Sequence, residues 1–169
     1  MEKSRGPRIS KQLENAIRDL RNFHQSAPQL AHLTGLTEIK SRIPENKLLF
    51  EGVQVSIRPD LIFSLPCGKQ GNCIGAIKLW MSSTIHMEED AGKSIAALMY
   101  YHLSQNQSFL PALKLKPQLV MAFDIHTGLL VSSTGATTKA LADARAACQE
   151  IAARWPTIQK PAAQPEKAA

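Results

Sequence analysis

The feature that most constrains this chain is a pair of apolar runs joined by a short polar segment. The runs cover residues 60–65 and 73–81, and Pro66-Cys67-Gly68-Lys69-Gln70-Gly71-Asn72 between them has the composition of a tight turn. The second run is apolar on both faces apart from Lys78, which is typical of a central strand covered on both sides. We therefore predict two strands, paired through this turn, at the centre of a sheet.

Each of these two strands carries one charge that needs a physical reason. Asp60 opens the first strand directly after Pro59, and Lys78 lies inside the second. Because side chains alternate along a strand, Asp60 shares a face with Ile62, and Lys78 shares a face with Ala76. Pairing would bring Asp60 and Lys78 to the same side of the sheet, near one end. Simpler roles also fit: a turn acid, a lysine that reaches solvent, or a structural salt bridge.

Periodicity places the remaining elements around this pair. Helices are predicted over residues 10–24 and 87–104, and a last helix carries the apolar stripe Leu141, Ala144, Cys148, Ile151 and Trp155 before Pro156. A further strand or bent strand is predicted over residues 47–57, with Glu51-Gly52 as a kink or turn, and strands are predicted over 118–124 and 129–133. Irregular chain is predicted over 35–47 and a loop between Pro111 and Pro117. The order α-β-β-β-α-β-β-α predicts an α/β fold with a mixed central sheet flanked by helices.

Length and composition predict one folded unit with two unstructured ends. A chain of 169 residues suits a single domain, and 44% hydrophobic residues are enough to bury a core. We predict a flexible basic arm over residues 1–8, a single α/β domain over 9–157 and a disordered tail over 158–169. No apolar run approaches the ~18 residues of a membrane span, and no apolar segment follows the charged start. We therefore expect a cytoplasmic protein that does not associate with membranes.

The charge balance favours a nucleic-acid partner. The net charge is +6 and the pI about 9.4, with much of the excess in residues 1–47. An ordinary basic cytosolic domain fits these values equally well. The three cysteines include no C-x-x-C spacing, which argues against a disulfide framework and a zinc site, and Cys73 and Cys148 are expected to be buried. A homo-oligomer is left open, because the stripe of the last helix could serve a dimer or cover the sheet.

The helix after the second strand adds a third charge at the same end of the sheet. With Ile95 at the centre of its buried stripe, Glu88 falls about 20° from that centre at 100° per residue. Glu89 and Asp90 point away and suit the positive end of the helix dipole. We therefore expect Glu88 to face the sheet near Lys78, although a helix-dipole role also fits Glu88.

Pro59-Asp60 at a strand start, Lys78 on the next strand and the order of the surrounding elements resemble the PD-(D/E)xK nuclease superfamily, which has the restriction-endonuclease-like fold. The resemblance spans residues 10–125, and the last hairpin and helix would be additions. It implies a metal-dependent nuclease that hydrolyses phosphodiester bonds, with Mg²⁺ or Mn²⁺ as cofactor and DNA favoured over RNA. Asp60 would bind the metal, and Lys78 would be catalytic by positioning the attacking water and stabilising charge on the phosphate.

One departure from the family pattern leaves alternative functions open. The acid that the family places two positions before the lysine is Ala76 here. Some members carry that acid on the following helix, where Glu88 would become the second metal ligand and the third residue of the site. The alternatives are therefore an active nuclease with Asp60, Lys78 and Glu88, and a catalytically inactive relative that binds nucleic acid or a protein partner. A third is an unrelated α/β protein in which the Asp60–Lys78 pair is structural.

Five further residues have weaker claims on a functional site. Glu14 and Glu51 are remote candidates for additional metal ligands. Asp124 fits a turn acid before His126-Thr127-Gly128 better than a ligand. His102 fits a core histidine better than a general base, and Arg58 either touches a phosphate or is an exposed strand-edge arginine.

Overall fold

The computed structural model describes residues 18, 21, 27–33, 35–39, 47–68, 71–82, 84–110 and 113–157. Within the predicted first helix, Arg18 and Arg21 are helical. The rest of that helix, the predicted basic arm and the predicted tail lie outside the described residues, so those boundaries stay predictions.

The centre of the protein is a five-stranded mixed sheet. Its strand order is β1-β4-β5-β6-β7, in which β5 and β6 run parallel and the other neighbours antiparallel. The strands are β1 Thr37–Glu38, β2 Lys47–Phe50, β3 Val53–Ser56, β4 Leu61–Pro66, β5 Asn72–Trp80, β6 Lys114–Asp124 and β7 Leu130–Ser132. The helices are α1 Glu89–Gln105 and α2 Thr138–Arg154, with 3₁₀ turns at Ala27–Leu33, Gln107–Phe109 and Trp155–Thr157. The predicted α/β class with a mixed sheet is confirmed at this level.

Strands β4 and β5 form the antiparallel pair that the sequence predicts. Leu61 lies opposite Ile77, and the chain reverses between them through a turn in which Cys67 N–H donates to the Gly71 carbonyl at 2.7 Å. Gly68 and Gly71 both have positive φ, at 58° and 74°, which a residue with a Cβ rarely adopts. These two glycines therefore set the tight reversal that fixes the register of the pair.

Strand β6 begins earlier than the sequence predicts. Lys114 and Leu115, expected to belong to a loop, already pair with Cys73 and Ile74 of β5, and the register then shifts between Ile74 and Ala76. A Cβ built at Gly75 would lie 2.5 Å from Phe63 Cζ and 2.6 Å from the Leu119 carbonyl oxygen. The missing side chain lets the irregular part of β6 approach closely, and Pro117 is tolerated because ladder pairing is already interrupted there.

The strand predicted over residues 47–57 is divided at Glu51-Gly52, where the sequence predicts a kink or turn. The structure has a hairpin, β2–β3, which forms a separate two-stranded sheet. Glu51 and Gly52 at its tip have φ values of 49° and 80°, the signs required by the two-residue turn whose twist matches a hairpin. The chain expected to be irregular over 35–47 also contains β1, which pairs with β4.

Helix α1 covers one face of the main sheet, and the 3₁₀ turn Ala27–Leu33 contributes to the other. The α1 face buries Ile62, Ile74, Ala76, Met99, Leu103, Leu110, Leu115 and Val120. The opposite face buries Leu33, Phe63, Leu65, Ile77, Met121, Phe123 and Ile125. Burial on both faces explains the nearly continuous apolar composition of β5. No described helix is long and apolar enough to cross a membrane.

The last helix does not bury the stripe that the sequence predicts. Of its residues only Ala140 and Cys148 are buried, whereas the side chains of Ile151 and Trp155 are 47% and 70% exposed. Helix α2 packs against α1 and the β2–β3 hairpin. The expectation that its stripe covers the central sheet is therefore wrong, because α2 lies mainly against α1 and the hairpin.

Candidate functional site

Asp60 and Lys78 meet at one end of the β4–β5 pair, as predicted. Lys78 Nζ lies 3.0 Å from Asp60 Oδ2 and 3.1 Å from Oδ1, so the ammonium group contacts both carboxylate oxygens. The two residues follow directly from the register, since Leu61 faces Ile77 and each chain continues by one residue. Their side chains are 40% and 37% exposed. The pair is therefore accessible to a ligand from solvent.

The backbone also holds the Asp60 carboxylate. Leu79 N–H donates to Asp60 Oδ2 at 2.7 Å, and Asp60 N–H donates to the Ile77 carbonyl at 2.8 Å. A carboxylate bound by a peptide N–H and a lysine has little freedom to rotate. The position of Asp60 is thus preorganised, and its negative charge is largely offset by Lys78.

Ala76, two residues before Lys78 on β5, lies in the apolar core. It is 0% exposed and clusters with Ile62, Met99, Leu103 and Val120 beneath α1. Alternation along β5 places Ala76 on the same face as Lys78, two residues away. The surroundings of Ala76 itself are therefore aliphatic side chains, and this cluster offers no polar group next to it.

Glu88 does not belong to the helix from which its orientation was predicted. It has extended backbone angles, precedes the first helical residue and is exposed, and only its carbonyl oxygen takes part in the helix, by accepting from Gly92 N–H at 2.9 Å. The N–H of the preceding residue, Met87, donates to the Asp124 carboxylate of β6. Asp124 lies two strands away from Asp60, about 10 Å at the usual strand spacing. The structure thus brings Asp60 and Lys78 together, whereas Glu88 as a ligand stays a prediction.

Asp124, at the carboxyl end of β6, is completely buried. Its Oδ2 accepts a hydrogen bond from Met87 N–H at 2.8 Å, and its Oδ1 accepts from the N–H groups of His126 and Thr127 at 2.8 and 3.2 Å. Burial acts to raise the pKa of Asp124, but the hydrogen bonds from Met87, His126 and Thr127 outweigh it and hold the pKa below its usual value. The structure confirms Asp124 as a turn acid and adds a tie to the segment before α1.

The loop between β5 and α1 carries polar groups that the sequence analysis missed. His86 Nδ1 lies 4.0 Å from Asp124 Oδ2, and the rings of His86 and His126 are 6.5 Å apart between centroids. Trp80 Nε1 donates to the Ile85 carbonyl at 2.7 Å. The order of the elements could have pointed to this loop. It follows the carboxyl end of β5, which meets the carboxyl end of the parallel strand β6, and α/β sheets commonly place ligand sites at that edge.

The weaker candidates have distinct positions. Glu51 is at the exposed tip of the β2–β3 hairpin, and Arg58 is exposed between β3 and β4. His102 is buried in α1, as expected for a core histidine, and Glu14 lies outside the described residues. Cys73 and Cys148 are buried, as predicted, and burial raises the pKa of the Cys73 thiol.

The described residues do not by themselves fit a Mg²⁺ or Mn²⁺ centre. No group of three histidine, cysteine, aspartate or glutamate side chains in the described part of the chain is placed to hold a metal ion. Mg²⁺ requires near-octahedral oxygen ligands, usually with more than one carboxylate or phosphate. Asp60 offers one carboxylate, and Lys78 already binds both of its oxygens.

Comparison of the chain with protein-family models, with curated proteins and with solved structures gives no significant match.

Proposed function

We propose that this protein is a non-hydrolysing relative of the restriction-endonuclease-like proteins that binds the nucleic-acid backbone at the Asp60–Lys78 pair. The observation that carries the proposal is the burial of Ala76 among Ile62, Met99 and Leu103. In the family pattern this position supplies the second acid of a metal site. Here the position is part of an apolar core, so the site keeps its lysine and one carboxylate without the surroundings that a metal needs.

Charge and exposure support a phosphate as the group that Lys78 recognises. Lys78 is held by two contacts to Asp60 at 3.0 and 3.1 Å yet stays exposed enough to reach a ligand. Arg58, two residues before Asp60 in the chain, is exposed beside the same end of the pair. The net charge of +6 favours association with a polyanion.

The second candidate is the metal-dependent nuclease, with Asp60 and Glu88 as metal ligands and Lys78 as the catalytic group. The direct contact between Asp60 and Lys78 favours it, because a nuclease of the PD-(D/E)xK type needs these two groups side by side. This candidate requires Glu88 to converge on Asp60, with any further ligand outside the described residues.

The discriminating variant is Asp60→Asn, with Glu89→Gln as its matched control. Each change removes one negative charge from a carboxylate that contacts a lysine. Glu89 contacts Lys93 at 2.7 Å on the first turn of α1, and Lys93 keeps a second contact with Asp90 at 3.4 Å after the change. Binding of fluorescein-labelled DNA is measured by anisotropy between about 50 and 200 mM salt, where phosphate contacts weaken steeply. If Lys78 binds phosphate, Asp60→Asn tightens binding and steepens the salt dependence more than Glu89→Gln does. Equal effects of the two variants would refute a specific role for the pair.

Calorimetric titration with Mg²⁺ and Mn²⁺ separates the two candidates. The proposed binding protein gives no metal-binding heat and no cleavage of DNA. Metal binding by the wild-type protein that is lost in Asp60→Asn and in Glu88→Ala, with cleavage lost in parallel, would replace the proposal by the nuclease.

A further inference from the structure

We propose that the apolar cavity beside Lys78 accepts one unstacked nucleobase, so that the protein binds single-stranded nucleic acid in preference to a duplex. The inference rests on the proposed function and names the substrate class of the same site. The cavity lies between the segment that ends the β2–β3 hairpin, strand β5 and helix α1. Its lining includes Ser56, Arg58, Lys78, Trp80, Leu98 and Met99.

The cavity has the size and chemistry of a site for one ring system. Its volume is about 250 Å³, below the ~300–1,000 Å³ of pockets that enclose whole drug-sized ligands. Its walls are mostly apolar, and Trp80 provides a half-buried indole whose orientation is set by the hydrogen bond from its Nε1 to the Ile85 carbonyl. An aromatic side chain held in this way is a platform on which any base can stack.

The charges at the cavity select a nucleotide over a neutral aromatic ligand. Arg58 and Lys78 both line it, and the described lining contains no acid. Asp60 offsets the charge of Lys78 from outside the cavity, whereas the other cation of the lining, Arg58, is exposed. An apolar floor with cations at its rim complements a base flanked by phosphates.

Whether a base can enter the cavity depends on whether the nucleic acid is single-stranded or duplex. A base in a duplex is stacked between its neighbours, so it enters a cavity of this kind only after unstacking, at a cost that a single strand largely avoids. Stacking of one base on an aromatic side chain contributes about 1–3 kcal/mol, which corresponds to a five- to 150-fold gain in affinity. The cavity therefore predicts a preference of about tenfold for the single strand.

The test compares a fluorescein-labelled single-stranded DNA oligonucleotide with the same strand annealed to its complement. Ser56→Trp places a large ring in the cavity from an exposed strand position, so the fold is expected to survive. It should weaken single-strand binding about tenfold and leave duplex binding unchanged. Arg58→Ala should reduce the slope of log affinity against log salt by about 0.7 for the single strand. Ser132→Trp, at an exposed strand position on β7, is the matched control and should change neither single-strand nor duplex binding.

The outcomes separate the two proposals. Failure to bind either form of DNA would refute the proposed function itself. Binding to the duplex as tight as to the single strand, or single-strand binding unaffected by Ser56→Trp while Asp60→Asn still alters it, would refute the cavity and leave the proposed function standing. Thermal unfolding of each variant identifies any that fails to fold, and in that case Leu98→Trp, which fills the same cavity from α1, replaces Ser56→Trp.

Discussion

Replacement of Asp124 by asparagine tests whether this carboxylate holds the fold together or belongs to a functional acidic site. Asp124 accepts three backbone N–H groups, one on Oδ2 and two on Oδ1. An asparagine has a single carbonyl oxygen, and its NH₂ group is a donor. In one orientation of the amide the buried N–H of Met87 loses its acceptor, and in the other the part-buried N–H groups of His126 and Thr127 do; in each case the N–H then faces another donor.

The expected cost follows from these contacts. A buried donor without an acceptor costs about 1–3 kcal/mol, and the surviving bonds weaken because the acceptor is no longer charged. We expect Asp124→Asn to lower the free energy of unfolding by about 3 kcal/mol. For a chain of this size that is a fall in Tm of roughly 6–12 °C.

The pH dependence provides a second signature. The pKa of Asp124 is lowered in the folded protein, so its contribution to stability is fully present above the unfolded value, near 3.9 for an aspartate. As the pH falls through 3.9 towards the folded pKa, folded Asp124 takes up a proton later than unfolded Asp124 does, and the contribution is lost. The difference in stability between wild type and Asp124→Asn should therefore be largest at neutral pH and shrink below pH about 4.

The assay is thermal unfolding followed by circular dichroism, repeated from neutral to acidic pH. Asp143→Asn, an exposed aspartate in α2, is the control and should leave Tm nearly unchanged. If Asp124 were one of several mutually repelling ligands, Asp124→Asn would be as stable as wild type or more stable. That result, or a stability difference that does not change below pH 4, would refute the structural role.

Two other substitutions test the core around the site. Ala76→Asp introduces an acid two positions before Lys78, where the residue is 0% exposed, and we expect a loss of several kcal/mol in the free energy of unfolding by burial of a carboxylate among apolar side chains. Recovery of Tm on addition of Mg²⁺ would contradict this and show that the position can support a metal site. Gly75→Ala places a Cβ within 2.6 Å of the Leu119 carbonyl oxygen, so we expect about 1–3 kcal/mol of destabilisation, measured by urea unfolding, and an unchanged midpoint would contradict this close approach.

Much of the central sheet could be predicted because its signals are local. The turn between β4 and β5 is encoded by glycines a few residues from the strands that it joins, and apolar composition on both faces identifies β5 as a central strand. Strand β6 was predicted too short because Pro117 usually ends a strand. Pro117 is tolerated within β6 because Gly75 of the neighbouring strand β5 lets the irregular part of β6 approach closely, and no sequence pattern near Pro117 reveals this.

The candidate site, like the sheet, could be predicted from the sequence only in part. The contact between Asp60 and Lys78 was predictable, since strand alternation and a short turn suffice to place both residues. The orientation of Glu88 was not, because the helix begins one residue later than the angular argument requires. The links from Asp124 to Met87 and His86 cross 37 and 38 positions of the chain, and no pattern within either segment predicts them.

By itself, the sequence determined an α/β protein with a mixed sheet and with Asp60 and Lys78 on the same side near one end of it, because side-chain alternation and turn chemistry act over a few residues. Only the tertiary structure decided what surrounds that pair. Met99 and Leu103 of α1 close over Ala76, and the hairpin and α1 leave a cavity next to Lys78. The physical reason is that packing between elements depends on where distant segments meet, and the space left beside a charged pair decides which ligand can reach it.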